Sequence, residues 1–255
     1  MMHYTKMHGI GNDYLFVFGD TPANAAALAV KYSDRRNGIG SDGMIYINYS
    51  SAADFSMRIF NADGSEAKMC GNGIRCVARY VREKGYTDKD ELTIDTLSGV
   101  KRLWIDGGFV TVDMGKAEVE DEILLDVGLK CNPVNVGNPH AVIFTDDVGL
   151  VLLRDIGPKI ENNKAFPGRV NAEFVQVLGE NEFRMRVWER GSGETQACGT
   201  GACASAAASV KKGFCRVGEP ITVHLDGGDL EITVKDDLTC LMKGPAEFVC
   251  DGEIL

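Results

Sequence analysis

The chain has 255 residues, 44% of them hydrophobic and 25% charged, which is typical of a globular enzyme with one large or two ordinary domains. Its formal net charge of −10 argues against general binding to nucleic acids or to anionic membrane surfaces. No apolar run approaches the roughly 18 residues of a membrane span, and no apolar signal segment is visible near the start, so we expect a cytoplasmic protein.

Hydrophobic patterning in the first half predicts alternating strands and helices. Strands are expected at residues 14–18, 44–48 and 55–60, and a helix at 22–32. After Cys70 the apolar residues take up helical spacing, and Lys84-Gly85 supplies a basic last turn and a glycine stop. Three strands around glycine-rich turns follow, at 92–96, 100–105 and 109–112.

The second half is predicted to repeat this order. Helices are expected at 150–160 and 201–212, and strands at 141–144, 172–178, 182–188, 221–225, 230–234 and 238–242. The helix GACASAAASVKK has small residues on every side, which indicates a helix buried in the centre of its domain. Residues 246–255 have no counterpart in the first half and are interpreted as one more strand, which can pack on the first domain.

The two halves share residues at a constant offset of 128 positions. Within the recurring set only the Gly64/Ser192 pair differs; the matches are Arg58 with Arg186, Gly64 with Ser192, Glu66 with Glu194, Cys70 with Cys198, Gly71 with Gly199, and Gly73 with Gly201. An offset of about half the chain length indicates a duplication and not a repeat array. We therefore predict two domains, at residues 1–116 and 117–245.

Each half places a Cys-Gly-x-Gly turn directly before a helix. The first N–H groups of a helix have no internal partners and carry partial positive charge, so they favour a thiolate and can bind a carboxylate. On this basis we expect the pKa of each thiol to fall from roughly 8.5 towards neutrality. Two such turns at one substrate provide a thiolate base and a thiol acid, a pair that favours racemisation or epimerisation by Cys70 and Cys198.

The other cysteines carry no such pattern. None of the eight has Cys-x-x-Cys spacing, which argues against a zinc site and against a thiol–disulfide redox protein. Six are interpreted as small buried hydrophobic residues: Cys76, Cys131, Cys203, Cys215, Cys240 and Cys250. No Gly-x-Gly-x-x-Gly fingerprint follows a predicted strand, and we expect no metal, nucleotide or pyridoxal phosphate cofactor.

Six segments in the right order resemble the diaminopimelate epimerase family over essentially the full chain. They are GIGNDY (9–14), GIGSDG (38–43), FNADGSEAKMCGNGIRC (60–76), GNPH (137–140), RVNAEF (169–174) and ERGSGETQACGTGAC (189–203). The resemblance implies cofactor-independent conversion of LL-2,6-diaminopimelate to the meso form, for lysine and peptidoglycan precursors, by a homodimer. It also implies an α/β (α+β) fold of two pseudo-symmetric domains, each a mixed, mostly antiparallel sheet around a central helix, with the site in the cleft.

The resemblance further implies roles for individual residues. Cys70 and Cys198 match the catalytic pair. The turn positions whose backbone amides hold the reacting carboxylate are Gly71, Asn72, Gly199 and Thr200. Glu189 matches the residue that receives the reacting ammonium group, and Arg190 one that binds the distal carboxylate. The side chains that match readers of the distal amino-acid group are Asn12, Asn61, Asn138 and Asn171, and His140 matches a supporting histidine near the site.

Some alternatives remain open at this stage. A proline or hydroxyproline racemase has a similar fold and paired cysteines, although its substrate has no second amino-acid group that needs Arg190 and four asparagines. His140 can be structural, Asn12 and Asn171 can be turn residues, and Glu66 and Glu194 can stabilise the cysteine turns or touch substrate. Gly43 departs from the family pattern, since some members carry Gln there, and we expect no side-chain contact at this position.

Overall fold

A computed structural model describes residues 2–254, which form two compact units. The first unit comprises residues 2–112 and 244–254, and the second comprises Asp113–Lys243. Each is a mixed, mostly antiparallel sheet packed on a long helix, so the predicted α+β class with an internal duplication is confirmed. Within residues 2–254, no helix has both the length and the apolar character to span a membrane.

Four α-helices and nineteen strands make up the described chain. The helices are α1 (Ala25–Ser33), α2 (Gly71–Glu83), α3 (Leu153–Glu161) and α4 (Gly199–Lys211). The strands up to the middle of the chain are β1 (Met2–Gly9), β2 (Asn12–Phe18), β3 (Gly43–Tyr49), β4 (Phe55–Asn61), β5 (Glu66–Ala67), β6 (Glu91–Thr96), β7 (Gly99–Asp106) and β8 (Phe109–Lys116). The later strands are β9 (Glu118–Val119), β10 (Ile123–Leu124), β11 (Lys130–Asn135), β12 (Pro139–Phe144), β13 (Asn171–Gly179), β14 (Glu182–Glu189), β15 (Gly193–Thr195), β16 (Pro220–Leu225), β17 (Gly228–Val234), β18 (Thr239–Pro245) and β19 (Glu247–Ile254).

In the first unit the strands lie in the order β19–β1–β2–β3–β4–β6–β7–β8. The pairs β2–β3 and β4–β6 are parallel, and the others are antiparallel. In the second unit the order is β11–β12–β13–β14–β16–β17–β18, with parallel pairs at β12–β13 and β14–β16. The duplication is therefore visible in the strand order and in the direction of every equivalent pair.

The helices repeat as closely as the strands do. Helices α2 and α4 each have 13 residues, and α1 and α3 each have 9, with both pairs at the same 128-residue offset. Each long helix lies against the strands of its own unit and is buried along most of its length. Ala202, Ala204 and Ala206–Ala208 have no exposed surface, which confirms that the small-residue helix is central. Helix α2 is also buried, and it includes the fully buried Arg75.

The observed elements differ from the sequence predictions at the starts of two helices and in several strands that were not predicted, which are β1, β11 and the short strands β5, β9, β10 and β15. Helix α1 starts at Ala25 because residues 22–24 form a turn, closed by the Ala25 N–H on the Pro22 carbonyl at 3.0 Å. Helix α3 starts at Leu153, after a short 3₁₀ helix (Val148–Leu150) that Asp147 caps. Strand β1 was not predicted, because its polar residues hide the alternation of buried positions. In the structure β1 pairs with β19 in antiparallel fashion.

Candidate active site

Cys70 and Cys198 are the N-cap residues of α2 and α4, and they have nearly the same backbone geometry. Their φ and ψ angles are −138° and 118° for Cys70, and −133° and 107° for Cys198. Each sulfur accepts the N–H three residues ahead, from Gly73 or Gly201, at 3.4 Å. Such extended N-caps place a side chain over the first turn of a helix. Both thiols therefore lie at a helix N-terminus, as their local sequence predicts.

The backbone amides expected to hold a carboxylate are in the same turns. Gly71 and Asn72 are the first residues of α2, and Gly199 and Thr200 are the first residues of α4. The first helical N–H→O=C bonds run from Ile74 to Cys70 and from Ala202 to Cys198. N–H groups ahead of these bonds have no acceptor within the helix and are available to an anion.

Asn12 and Asn72 lie beside Cys70. The Cys70 thiol donates to Asn12 Oδ1 at 3.3 Å, and the Asn72 amide approaches the same oxygen at 3.4 Å. Asn12 Nδ2 donates to Asp42 Oδ2 at 2.7 Å, which turns the amide oxygen towards the sulfur. Arg75 donates to Asn72 Oδ1 at 2.9 Å and to the Gly71 carbonyl at 3.2 Å, so it braces the turn from the helix side.

A network of ion pairs surrounds Asp42, the hydrogen-bond partner of Asn12, and the neighbouring Asp13. Asp13 lies 2.6 Å from Arg35 Nη2 and 3.0 Å from Lys6 Nζ, and Arg35 also reaches Asp42 at 2.9 Å. Burial by itself would raise the pKa of Asp13, but the hydrogen bonds and charges of Arg35 and Lys6 outweigh it and hold this pKa below its usual value. The network was not predicted, because it joins residues from separate segments of the chain.

The lowered pKa of Asp13 gives a stability prediction with a definite sign. The charged form contributes stability above the unfolded-state pKa of about 3.9, and this stability is lost as pH falls through the lower folded-state pKa. We expect Asp13→Asn to cost about 1–3 kcal/mol near neutral pH. In thermal melts from pH 7 to pH 3, the difference from wild type should stay constant down to about pH 5 and shrink below about pH 4.

The fully exposed Asp88 offers the matched control for this measurement. Asp88→Asn is expected to melt like the wild type at every pH, since surface ion pairs contribute about 0–1 kcal/mol. A difference between Asp13→Asn and wild type that does not change with pH would contradict the assignment of this stability to the Asp13 charge.

Cys198 has a different electrostatic environment from the one its helix terminus predicts. It is buried, with only 5% of its surface exposed. Burial is the main cause that raises the pKa of this thiol well above its usual value, and the carboxylates of Glu189 and Glu173 add to it. Bonds from Thr200 and the Gly201 N–H act in the opposite direction but are weaker. The predicted fall of the thiol pKa towards neutrality is therefore wrong for Cys198, whose pKa is raised and not lowered.

Glu189 lies at the end of β14, where Thr195 donates to its Oε1 at 2.5 Å. Burial, with a smaller contribution from Glu173, raises the pKa of this carboxyl, while the bonds from Thr195 and Cys198 and the charge of His140 lower it in part. The carboxylate of Glu189 is half-buried, and in such surroundings its charged form is stabilised when a cation binds beside it. The site can thus receive an ammonium group at Glu189.

His140 and Glu173 form a buried pair in the second unit. His140 Nδ1 lies 2.6 Å from Glu173 Oε1, its Nε2 lies 3.0 Å from Asn138 Oδ1, and both side chains of the pair have no exposed surface. Glu173 Oε2 has no hydrogen-bond partner within residues 2–254. The sequence analysis did not identify Glu173. The available signal was its place inside the apolar run 172–175, because a charged residue there needs a buried partner.

Asn171 and Arg190, two of the residues expected to recognise the distal end of the substrate, lie in the same unit as Glu189. The Arg190 N–H donates to Asn171 Oδ1 at 2.8 Å, and its guanidinium donates to the Gly168 carbonyl at 3.0 Å. In the first unit, Asn61 donates to Ser65 at 3.0 Å at the end of β4, the position equivalent to Glu189. The structure therefore joins Asn171 with Arg190, Asn138 with His140, and Asn12 with both Cys70 and Asn72.

The repeated glutamates are bound to the repeated arginines. Arg186 Nη2 donates to Glu194 Oε1 at 2.8 Å, and Arg58 Nε donates to Glu66 in the equivalent pair. Each pair ties one short strand to its long neighbour just ahead of a cysteine turn. These contacts support the structural alternative for both glutamates.

Five of the six remaining cysteines are buried, as expected, but Cys250 is exposed on β19 and its prediction is wrong. Burial raises the pKa of Cys76 and of Cys131 to about 12 in each case. These two thiols stay protonated at neutral pH and are poor nucleophiles.

Gly43 begins β3 directly opposite Asn61, where two strands approach closely. A Cβ at this position would lie 2.3 Å from the Phe60 carbonyl oxygen and 3.0 Å from Asn61 Cα. This backbone therefore has no room for a side chain unless the strand end that carries Asn61 shifts.

We expect Gly43→Ala to lower the free energy of unfolding by about 1–3 kcal/mol, as overpacking in a core does. Chemical denaturation measures this directly. Gly168→Ala is the matched control, since nothing lies within 4 Å of a Cβ at that position. Equal midpoints for wild type and Gly43→Ala would show that the strands separate without cost and would contradict the expectation.

The chain is similar to known proteins over nearly its full length. A family profile described as diaminopimelate epimerase matches residues 4–120 and 133–249, one segment in each half. A diaminopimelate epimerase of Bacteroides thetaiotaomicron is 50% identical over 265 residues, covering 98% of this chain and 97% of that protein. One from Bacillus cytotoxicus is 47% identical over 275 residues, covering 98% of this chain and 96% of that protein.

Solved structures of lower identity share the fold. A phenazine biosynthesis protein of the PhzF family from Bacillus anthracis matches with a TM-score of 0.73 and 18% identity, covering 100% of this chain and 99% of that one. A hydroxyproline epimerase from Agrobacterium vitis matches with a TM-score of 0.69 and 15% identity, covering 98% and 91%. The fold alone is common to several activities, whereas the full-length identity is specific, and the chain belongs to the diaminopimelate epimerase family.

Proposed function

We propose that this chain is a cofactor-independent epimerase that interconverts LL-2,6-diaminopimelate and meso-diaminopimelate. The observation that carries the proposal is the pair of N-cap cysteines, Cys70 and Cys198, at equivalent positions of a duplicated chain. Full-length identity of 44–50% to proteins named diaminopimelate epimerase supports the substrate.

The proposed reaction is a proton exchange between two faces of one carbon. A thiolate removes the α-proton and becomes a thiol, and the electron pair is left on the α-carbon, delocalised into the carboxylate. The second thiol then gives its proton to the opposite face and becomes the thiolate. The raised pKa of Cys198 supports Cys198 as the initial proton donor and Cys70 as the initial base.

The carbanion requires electrostatic stabilisation, because an amino-acid α-proton is very weakly acidic. We propose that the backbone N–H groups of Gly71, Asn72, Gly199 and Thr200 bind the carboxylate on which negative charge accumulates. Glu189 then balances the charge of the reacting ammonium group. Backbone N–H groups at a helix terminus are fixed by the helix, so they need little reorganisation in the transition state.

Recognition of the distal end is assigned to residues that differ between the halves. Arg190 presents a planar fork for a carboxylate, and amide side chains can serve either charge of an amino-acid group. We propose that Asn12, Asn61, Asn138 and Asn171 act with Arg190 in this way. Ala62 stands at the position equivalent to Arg190, so the thiol pair is symmetric and the recognition is not.

The family supports a place in lysine biosynthesis, and we further propose a cytoplasmic homodimer that needs no cofactor. A proline or hydroxyproline racemase is the second candidate. The likeness to a hydroxyproline epimerase is one of fold alone at 15% identity, and its substrate leaves the distal residues without a role.

A substrate panel separates the two candidates. Purified, reduced enzyme is incubated with LL-diaminopimelate, L-proline or trans-4-hydroxy-L-proline, and the stereoisomers are resolved by chiral chromatography. The proposal expects meso-diaminopimelate to accumulate and both proline samples to stay unchanged. Inversion of a proline substrate alone would reject it in favour of the racemase.

A further inference from the structure

Glu161, the last residue of α3, is a buried carboxylate with three donors. Oε1 accepts from Arg169 Nη1 at 2.9 Å and from the Gly191 N–H at 3.0 Å, and Oε2 accepts from Trp188 Nε1 at 2.7 Å. Only 5% of the residue surface is exposed. A buried carboxylate is stable only when hydrogen-bond donors, here including one cation, compensate its charge. The three contacts therefore fix the positions of the donating segments around Glu161.

Two of the donors lie on either side of the proposed recognition residues. Trp188 directly precedes Glu189, and Gly191 directly follows Arg190. Glu189 lies within β14 and accepts a side-chain hydrogen bond from Thr195, whereas Arg190 lies beyond the end of β14 and its backbone is held, among the described residues, by one bond, from its N–H to Asn171 Oδ1. The position of Arg190 therefore depends more on Glu161 than that of Glu189 does.

The third donor supports the same segment from the neighbouring loop. Arg169 has a left-handed backbone conformation (φ 58°), rare for a side chain of its size, and it follows Gly168, whose carbonyl accepts from the Arg190 guanidinium. By holding Arg169, Glu161 also holds the loop that receives Arg190. One carboxylate thus supports Arg190 from both directions.

The duplication provides an internal comparison. The positions equivalent to Glu161 and Arg169 in the first unit are Ser33 and Ser41, which are joined by a neutral hydrogen bond of 3.0 Å. The position equivalent to Arg190 is Ala62. The charged pair is therefore present in the half that carries the recognition arginine and absent from the equivalent place in the other half.

We propose that Glu161 is a positioning residue for substrate recognition, which holds Arg190 ready for the distal carboxylate of a substrate with two amino-acid ends. This inference rests on the proposed function of Arg190. It predicts a separation of kinetic constants, because Arg190 binds the unreacting end of the substrate while the thiols act on the other end. Loss of Glu161 should raise KM much more than it lowers kcat.

Two measurements test this on Glu161→Ala, with Glu161→Gln as the milder variant that keeps one carbonyl acceptor. Hydrogen exchange should show a loss of protection at the Gly191 amide of about tenfold or more, with α4 still protected. With LL-diaminopimelate, KM should rise about 10- to 100-fold while kcat changes by less than about threefold. Glu161→Gln should lie between Glu161→Ala and wild type in both measurements.

Ser33→Ala is the matched control, since it removes the equivalent buried hydrogen bond in the first unit. It should leave Gly191 protection and KM unchanged. The inference is overturned if folded Glu161→Ala keeps Gly191 protection, or if kcat falls while KM stays the same. If the wild-type enzyme does not act on diaminopimelate, the proposed function is rejected. A loss of Gly191 protection in Glu161→Ala would then still support the positioning contact.

Discussion

Replacement of Cys70 or of Cys198 by alanine is expected to reduce epimerisation of LL-diaminopimelate by about 10⁴-fold in each single variant. Each thiol is one half of the proton exchange, and a positioned acid or base contributes about 10²–10⁴-fold to a rate. Since the two act as a unit, the double variant should be little worse than either single one. Initial rates with reductant present measure the effect.

Two other cysteines on the same helices provide controls. Cys76 lies on α2 and Cys203 on α4, and both are buried. Cys76→Ala and Cys203→Ala should keep turnover within a few-fold of wild type, with a modest loss of stability from the small cavity. If Cys70→Ala or Cys198→Ala keeps more than about a tenth of the wild-type rate while folded, the two-thiol account is wrong.

Glu189→Gln is expected to lower kcat/KM about 10²- to 10³-fold, or roughly 3–4 kcal/mol of transition-state stabilisation. Glutamine keeps the shape and can still accept from Thr195, but it leaves the substrate ammonium group without a counter-charge at a half-buried position. Steady-state kinetics with LL-diaminopimelate provides the measurement.

Glu194→Gln tests whether any nearby carboxylate has this effect. Glu194 is partly exposed and paired with Arg186 and Arg154, so its loss should change stability slightly and kcat/KM by less than about threefold. A Glu189→Gln enzyme as active as Glu194→Gln would show that Glu189 does not serve the ammonium group as a carboxylate.

The cysteine turns could be predicted from the sequence because N-capping is a local property. A cap, its two glycines and the apolar spacing of the following helix all lie within a few turns of chain, and the duplication shows them twice. The same reasoning located the bounds of α2 and α4 to within a few residues. The strand that opens the chain escaped prediction, since its pattern becomes visible only when β2 and β19 cover it.

The buried charges could not be predicted in this way. Glu161, Glu173 and Arg75 are surrounded by partners that come from other elements, and a charged residue with no visible partner is assigned to the surface. The prediction of a lowered pKa for the Cys198 thiol failed for the same reason. A helix terminus alone lowers the pKa of a thiol, but burial and the carboxylates of Glu189 and Glu173 reverse the direction.

Proton NMR of LL-diaminopimelate in D₂O, with purified and reduced enzyme and no added cofactor, tests the central claim most directly. The two-thiol account predicts loss of the α-proton signal together with growth of the meso form, and neither change with Cys70→Ala or Cys198→Ala. A silent spectrum from folded, reduced wild-type enzyme would contradict the account, as would exchange that persists in both cysteine variants.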